Sequence, residues 1–471
     1  MDNLSLDFIP QNIVITGPCI PYLVAPLRKK FSNSKIIGIQ FSYDFQKYNS
    51  LWDYCFYVTK NTRILDFHEE LFNYLGEENL CTSYFFSWKP SEKPFEQEYK
   101  ITWESIKMAL DKSMAIINTR NYFNKTWLYN SLRFYKNINS IAEISPISKP
   151  IIITASGPSL NQQIDFLKQN KKYFFLIALS SSLSPLLENS IIPDVILTTD
   201  GGYYASRHLK ILETNPDFSN IPIILPPEAR ISSKILEKNP IIPLSFEDNF
   251  DSKILKELDI NCIIGKRNGT VSGTGAELAL TLTRESIYFM GLDLDSSLGY
   301  SHTQPNALEL DNSINDFKLK SKEHRNVPNT FKNGSLEIYR NWFSTRNHNF
   351  YKQIFRIILK KDNLKQILNL TDIENSQIKH YEKKQETYIT TQKHNLDKNK
   401  IFTYFTNIYN EVKKSTEINK KNEEWIKITS IIDFIKYKKQ LNKTENFKKI
   451  KDDTLNLLEN ILNYLKEPKN E

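Results

Sequence analysis

The sequence predicts an α/β protein whose middle is a parallel sheet, preceded by a small α/β unit and followed by a helical region. Three observations predict it. Between Ile151 and Gly291, β-branched apolar runs alternate with helix-patterned stretches. Gly, Ser and Asp cluster where those runs end. Beyond Asn347 the chain has almost no Gly or Pro, and its apolar residues recur every three or four positions. Continuous apolar strands separated by helices indicate a parallel sheet covered on both faces, and three- to four-residue spacing indicates amphipathic helices.

Taken in chain order, Ile13-Val14-Ile15-Thr16-Gly17-Pro18 reads as a strand ending in a tight turn, with a helix expected over Pro21–Phe31. Ile36–Gln40 and Tyr54–Val58 are two further short strands. From Trp103 to Asn139 the spacing of Ile106, Ala109, Leu110, Met114 and Ile117 predicts a helix. After Pro146 and Pro150, strands are expected at Ile151–Ala155, Phe174–Leu179, Asp194–Thr199, Ile221–Leu225, Ile241–Ser245, Asn261–Ile264 and Ser286–Gly291. Helices are expected between them at Leu160–Gln169, Leu183–Asn189, Tyr203–Glu213 and Thr274–Thr283. This is a Rossmann-like pattern. The reading gives an N-terminal α/β domain over 1–100, a helical linker over 101–145, a Rossmann-like domain over 146–346 and a helical C-terminal domain over 347–471. In the last, Ile428, Ile431, Ile432 and Ile435, and then Leu455, Leu458, Ile461 and Leu462, mark apolar helix faces.

Composition narrows the function. Hydrophobic residues make up 40% and aromatics 12%, enough to build cores, so a disordered chain is excluded. Cys19, Cys55, Cys81 and Cys262 are far apart with no CxxC pair, which argues against a zinc site or a disulfide framework. No run of ~18 apolar residues occurs and no signal peptide is visible, so a cytoplasmic protein without a membrane span is expected. The net charge of +8 comes wholly from residues 351–471, where 25 Lys/Arg stand against 17 Asp/Glu. There Lys alternates with Asn, Glu and Ile in a helical pattern, which describes a solvated helix surface, and no nucleic-acid partner is expected.

The residues that carry chemistry lie where strands end. Ser156-Gly157-Pro158-Ser159 follows the strand at 151–155 and opens a helix. Glycine permits the tight turn, and the free N–H groups of a helix start attract phosphate. An ordinary strand–helix turn has the same appearance, since single glycine loops carry little information. Ser180 and Ser181 end the next strand, and Asp200 ends the third, where a turn before Gly201-Gly202 also explains it. Thr270, Ser272 and Thr274 sit in a second glycine-rich loop before a helix. Asp293 lies in Gly291-Leu292-Asp293-Leu294 after the last strand, and His302 follows. A histidine there can exchange protons near neutral pH, although a loop histidine is more often inert.

In this order these segments resemble the bacterial motility-associated factor glycosyltransferases, over about residues 100–345. The Gly-Pro-Ser-Leu and Gly-Leu-Asp-Leu segments are also similar to bacterial sialyltransferases that use CMP-sialic acid. The resemblance implies a cytoplasmic enzyme that transfers a nonulosonic acid (pseudaminic, legionaminic or sialic acid) from its CMP-activated form to Ser or Thr of flagellin. It implies nucleotide-sugar contacts from Ser156, Gly157, Pro158, Ser159, Ser180, Ser181, Asp200, Thr270, Ser272, Thr274 and Asp293. It also implies a histidine base, for which His302 and His324 are both candidates. The flanking domains agree with the three-part reading; the N-terminal one carries only a degenerate glycine turn at Gly17, to which no ligand is assigned. No carboxylates show obvious metal-ligand spacing, so no obligatory metal is expected. Two other readings compete. Gly-Pro-Ser-Leu and Asp200-Gly201 also look like archaeal-type pterin diphosphokinases, which use ATP and magnesium. The third is a non-catalytic flagellar assembly protein that keeps the fold and holds a partner with its basic helical tail.

Overall fold

A computed structural model describes residues 8–246, 250–294, 302–319, 321, 334–346, 348–358, 368–378, 388–393, 397–439 and 444–467. The chain divides into two compact units. One comprises Met1–Lys125 and Phe405–Tyr464, the other Thr126–Tyr404 and Leu465–Glu471. The division falls inside a 42-residue helix, Glu96–Asn137.

The first unit is built on four parallel strands: β1 (Asn12–Thr16), β2 (Lys35–Gln40), β3 (Tyr54–Tyr57) and β4 (Ser83–Ser87), in the order β3-β2-β1-β4. Alternate residues face opposite sides. Val14, Ile37, Ile39 and Phe56 therefore pack with Phe67, Leu71 and Ile106, while Ile13, Ile15 and Ile36 pack with Val24, Leu27 and Trp52. β4 was not anticipated, because Ser83-Tyr84-Phe85-Phe86-Ser87 is half-buried and has no aliphatic run. The chain's last helices join this unit: Ile426, Ile431, Phe434, Phe447 and Ile450 cluster with Ile117. At Gly17 a Cβ would lie 2.2 Å from Ser91 Oγ and 2.6 Å from the Phe41 ring, so the turn after β1 is filled by the protein itself.

The second unit holds an eleven-stranded sheet. Its strands are β5 (Ser140–Ile144), β6 (Ile151–Thr154), β7 (Phe175–Leu179), β8 (Val195–Leu197), β9 (Ile223–Leu225), β10 (Ile241–Phe246), β11 (Ile263–Gly265), β12 (Ile287–Met290), β13 (Ile354–Ile358), β14 (Thr371–Glu374) and β15 (Ile389–Lys393). The order is β14-β13-β12-β6-β7-β8-β9-β10-β5-β15, with β11 also on β10. Every pairing is parallel except β15 with β5. The fold is thus α/β with a Rossmann-like parallel sheet, a small N-terminal α/β sheet and helices toward the C-terminus. Strands β6, β7, β8 and β12 are buried along their whole length, as the continuous apolar runs require.

Beyond residue 347 the structure differs from the expectation of helices alone. β13, β14 and β15 lie there and extend the central sheet at both edges. Ile354-Phe355-Arg356-Ile357-Ile358 is a strand run hidden in Lys- and Asn-rich surroundings. Its Arg356 is 3% exposed and is neutralised by Asp372 on β14, through bonds of 2.8 and 2.6 Å. Helices prevail from Lys398 onward, at Lys398–Lys414, Glu423–Lys439 and Thr444–Lys466.

Candidate active site

Strand β6 sits between β12 and β7, and the chain leaves it in opposite directions: β7, β8, β9 and β10 on one side, β12, β13 and β14 on the other. Open α/β sheets bind ligands at the carboxyl ends of the strands flanking such a reversal. The two segments at this reversal are Ala155–Ser159 and Gly291–Leu294.

They are locked to each other. Ala155 N donates to Met290 O and Gly157 N to Gly291 O, both at 2.8 Å. Gly157 caps a 3₁₀ turn over Pro158–Gln163, with Pro158 at its first position. Asp293 lies across this turn and accepts from Ser159 N at 2.8 Å and from Ser159 Oγ at 2.5 Å. A Cβ on Gly157 would stand 2.5 Å from both Asp293 Oδ2 and Gly291 O. The glycine is therefore required by Asp293 and the Gly291 carbonyl. The Ser159 N–H, which the sequence offered to phosphate, already bonds a carboxylate.

The next layer comes from the segment at 302–306. Thr303 N donates to Ser156 O at 2.7 Å, and Thr303 Oγ1 meets the Asn161 side chain at 2.5 Å. Asn306, 1% exposed, donates to Ser181 O at 3.1 Å and accepts from Leu308 N at 3.0 Å. One side chain thus caps the helix Ala307–Ser313 and ties it to the end of β7. Under it Ser182 Oγ meets Thr154 Oγ1 at 2.9 Å, joining the ends of β6 and β7.

His302 precedes Thr303 at this edge, and Glu309 holds it. Its Nδ1 lies 3.3 Å from Glu309 Oε1, and the same oxygen accepts from His302 N at 3.2 Å. Glu309 is 4% exposed, whereas the His302 side chain is about one-third exposed. The ring of His208, on the helix Tyr203–His208, is centred 6.4 Å from that of His302. Burial and then the neighbouring His302 push His208 down to about 4. Beside it Arg207 pairs with Asp311 at 2.5 Å, linking the helices Tyr203–His208 and Ala307–Ser313.

The remaining expected residues surround this centre with less engagement. Asp200 is exposed, and its Oδ1 accepts from Gly202 N at 2.7 Å, the turn-forming geometry. Thr270 caps the helix Val271–Leu282. Gly275 of that helix faces Leu197, Leu179 and Ile153, the ends of β8, β7 and β6, so the helix start belongs to the same edge. Ser272 and Thr274 are buried, and Thr274 Oγ1 donates back to Thr270 O at 3.3 Å. Ser180 is buried and Ser181 half-buried. The structure thus brings Ser156–Ser159, Ser180, Ser181, Asp293 and His302 together. His324 lies outside the described residues, as do Asp295 to Ser301.

Other parts of this edge carried no sequence signal. Thr303, Asn306, Glu309, Arg207 and His208 belong to no motif, and only their packing makes them partners. At the ends of β9 and β11, Glu228 and Arg267 form a two-bonded ion pair, with Arg267 over the rings of Trp127 and Phe246. Asn130 donates to the carbonyls of Gly201 and Glu228 at 3.1 and 2.9 Å. Fully buried Asp251 accepts from Ser131 Oγ and Tyr135 OH, and burial, then the charge of Glu228, push it up to about 8. A cavity of about 680 Å³ runs along the helix Val271–Leu282, lined by Leu244, Ile264, Lys266, Thr274, Arg346 and Phe350 among others. Of the expected residues only Thr274 lines it.

Residues 125–298 match the family described as 6-hydroxymethylpterin diphosphokinase MptE-like. A Treponema pallidum (strain Nichols) protein described as uncharacterized is 30% identical over 278 residues, 59% of this chain. The chain spans about 60% of that relative's length. A solved structure of a Maf glycosyltransferase from Magnetospirillum magneticum AMB-1 superposes with a TM-score of 0.54 at 11% identity, over 97% of this chain and 79% of its own. In fold, from the N-terminal sheet to the C-terminal helices, this chain is therefore similar to a Maf glycosyltransferase, and its Rossmann-like centre is similar to the MptE-like family.

Proposed function

We propose that the chain is a glycosyltransferase that moves a nonulosonic acid from its CMP-activated form to Ser or Thr hydroxyls of flagellin. The observation that carries this reading is the place of His302 next to Thr303 at the reversal of strand order, where Thr303 bonds Ser156 and Asn306 bonds Ser181. The fold shared with a Maf glycosyltransferase supports it. The acceptor hydroxyl gives its proton to His302 as its oxygen bonds the anomeric carbon, and the bond from that carbon to the CMP phosphate oxygen breaks. A base so placed contributes roughly 10²–10⁴-fold to the rate. Because Asp293 occupies the Ser159 N–H, phosphate contact falls to Ser156 and Ser181, whose hydroxyls make no hydrogen bond among the described residues, and to the helix start at Thr270–Ser272. Asp293 bonds Ser159 through both carboxyl oxygens, so its role in this reading is to orient the turn.

The match of residues 125–298 to the MptE-like family favours one other reading, transfer of diphosphate from ATP to a pterin. A calorimetric titration of the full chain with CMP, set beside ATP with magnesium, separates the two. We expect CMP to bind without magnesium. We also expect His302→Gln to keep CMP affinity while losing about 100-fold or more in transfer to flagellin, read by intact-protein mass spectrometry. Tight ATP–magnesium binding with no response to CMP would replace the glycosyltransferase by the diphosphokinase. Transfer that persists in EDTA is the further expectation for a metal-independent enzyme.

A further inference from the structure

We infer that Glu309 is a positioning residue that holds His302 as the Nδ1–H tautomer, so that Nε2 is the nitrogen that accepts a proton. Its use in catalysis rests on the reading of His302 as the base, whereas the tautomer itself does not. The partner at one ring nitrogen of a histidine decides which nitrogen carries the proton. Here that partner is a carboxylate oxygen 3.3 Å from Nδ1, which can only accept. The same oxygen takes the backbone N–H of His302, so ring and backbone are fixed to one atom.

The carboxylate is itself fixed. Glu309 is 4% exposed and stands one turn from Asn306, which is tied to Ser181 at the end of β7. Among the described residues, charged and titratable groups near His302 lie on two helices. Glu309 and Asp311 lie on Ala307–Ser313, and Arg207 and His208 on Tyr203–His208. Arg207 and Asp311 neutralise each other at 2.5 Å. His208, buried and depressed to about 4, is neutral throughout the range in which an ordinary histidine titrates. Glu309 is therefore the charged group that meets the ring directly, its Oε1 lying 3.3 Å from Nδ1. The arrangement is that of a carboxylate–imidazole pair in which the carboxylate orients the ring and stabilises the imidazolium once formed.

The test is long-range ¹H–¹⁵N spectroscopy of the histidine rings in the full chain, with the His302 signals assigned by their loss in His302→Gln. We expect His302 at pH above its titration to show the pattern of a protonated Nδ1 and a bare Nε2. We expect Glu309→Ala to move the proton toward Nε2, and Glu309→Asp to restore it to Nδ1 in part. The wild-type spectrum alone decides the tautomer, so a variant that fails to fold does not rescue the inference. A wild-type His302 protonated at Nε2, or a Glu309→Ala spectrum identical to it, overturns the inference. If the tautomer is as stated but His302→Gln transfers sugar as fast as wild type, the pairing stands and the base assignment falls. If both hold, Glu309→Ala should lower kcat about 100-fold with KM unchanged, and Glu309→Asp should recover part of that kcat.

Discussion

Gly157 and Asp293, 134 positions from Ser159 in sequence, show what one residue does in this site. The motif made Gly157 legible as a place where something approaches the backbone closely. It did not say that the approaching group is the protein's own Asp293, because nothing in a single sequence pairs two segments so far apart. Ser156, Ser180 and Ser181 were legible from their places at strand ends. Glu309 and Asn306 were not, since an isolated Glu or Asn on a short helix has no pattern to betray a partner. The geometry sets a test. With 2.5 Å to both Asp293 Oδ2 and the Gly291 carbonyl, even Ala at 157 forces the loops apart. Gly157→Ala should cost about 2 kcal/mol or more of unfolding free energy, in the range of steric and strain substitutions. Asp293→Ala should cost about 1–2 kcal/mol through the lost bonds to Ser159. In the double variant, relief of the clash should make the combined loss smaller than the sum, measured by denaturant unfolding. Strict additivity would mean that the two residues do not meet as described. It follows that substituting Gly157 disturbs the fold as well as the pocket, which makes His302→Gln the cleaner probe of catalysis.

Among the elements, the helix Tyr203–His208 makes folding stability depend on pH. It was legible as part of one longer helix over 203–213, and the structure breaks it in two, Tyr203–His208 and Lys210–Thr214. The break places Arg207 against Asp311 and sinks His208 to 9% exposure beside His302. Helical periodicity finds that such residues are helical, but the destination of a buried His depends on the element packed over it. His208 falls from an ordinary value near 6.5 to about 4 on folding. Between those values the unfolded chain binds the proton and the folded chain does not, so stability rises with pH across this window. The contribution is complete above about pH 6.5, declines as pH falls toward 4, and is flat below that. At most it amounts to about 3 kcal/mol, from the size of the shift. His208→Phe, which keeps a ring of similar size, should flatten the dependence between pH 4 and 6.5 in isothermal denaturation. An unchanged slope would show that His208 is not buried as a neutral ring.

At the scale of the whole molecule, the strands that alternate with helices between Ile151 and Gly291 were all legible, because each is an apolar run between turn residues. β13, β14 and β15 were not, because they are short and embedded in a Lys-, Asn- and Glu-rich region whose dominant period is helical. Their placement moves the end of the second unit well past residue 346. β13 and β14 continue the sheet beyond β12, and β15 closes the other edge against β5. Phe350, Ile354, Leu368, Leu370 and Tyr388 belong to the same core cluster as Ile151, Ile153, Leu197 and Phe289. A fragment ending at 346 would leave β12 as an open edge and expose that part of the core, a condition that favours edge-to-edge association. Residues 126–404 retain all eleven strands, so this fragment should melt in a single cooperative transition followed by circular dichroism. Residues 126–346, although they contain His302 and the whole Ser159–Asp293 contact, should lack that transition, bind a hydrophobic dye and self-associate. Each large aliphatic or aromatic side chain withdrawn from the core costs about 2–5 kcal/mol, and five are withdrawn at once, against a total stability of about 5–15 kcal/mol. Equal melting of the two fragments would mean that the C-terminal strands lie on the sheet without supporting it, and the site would then be independent of the chain beyond residue 346.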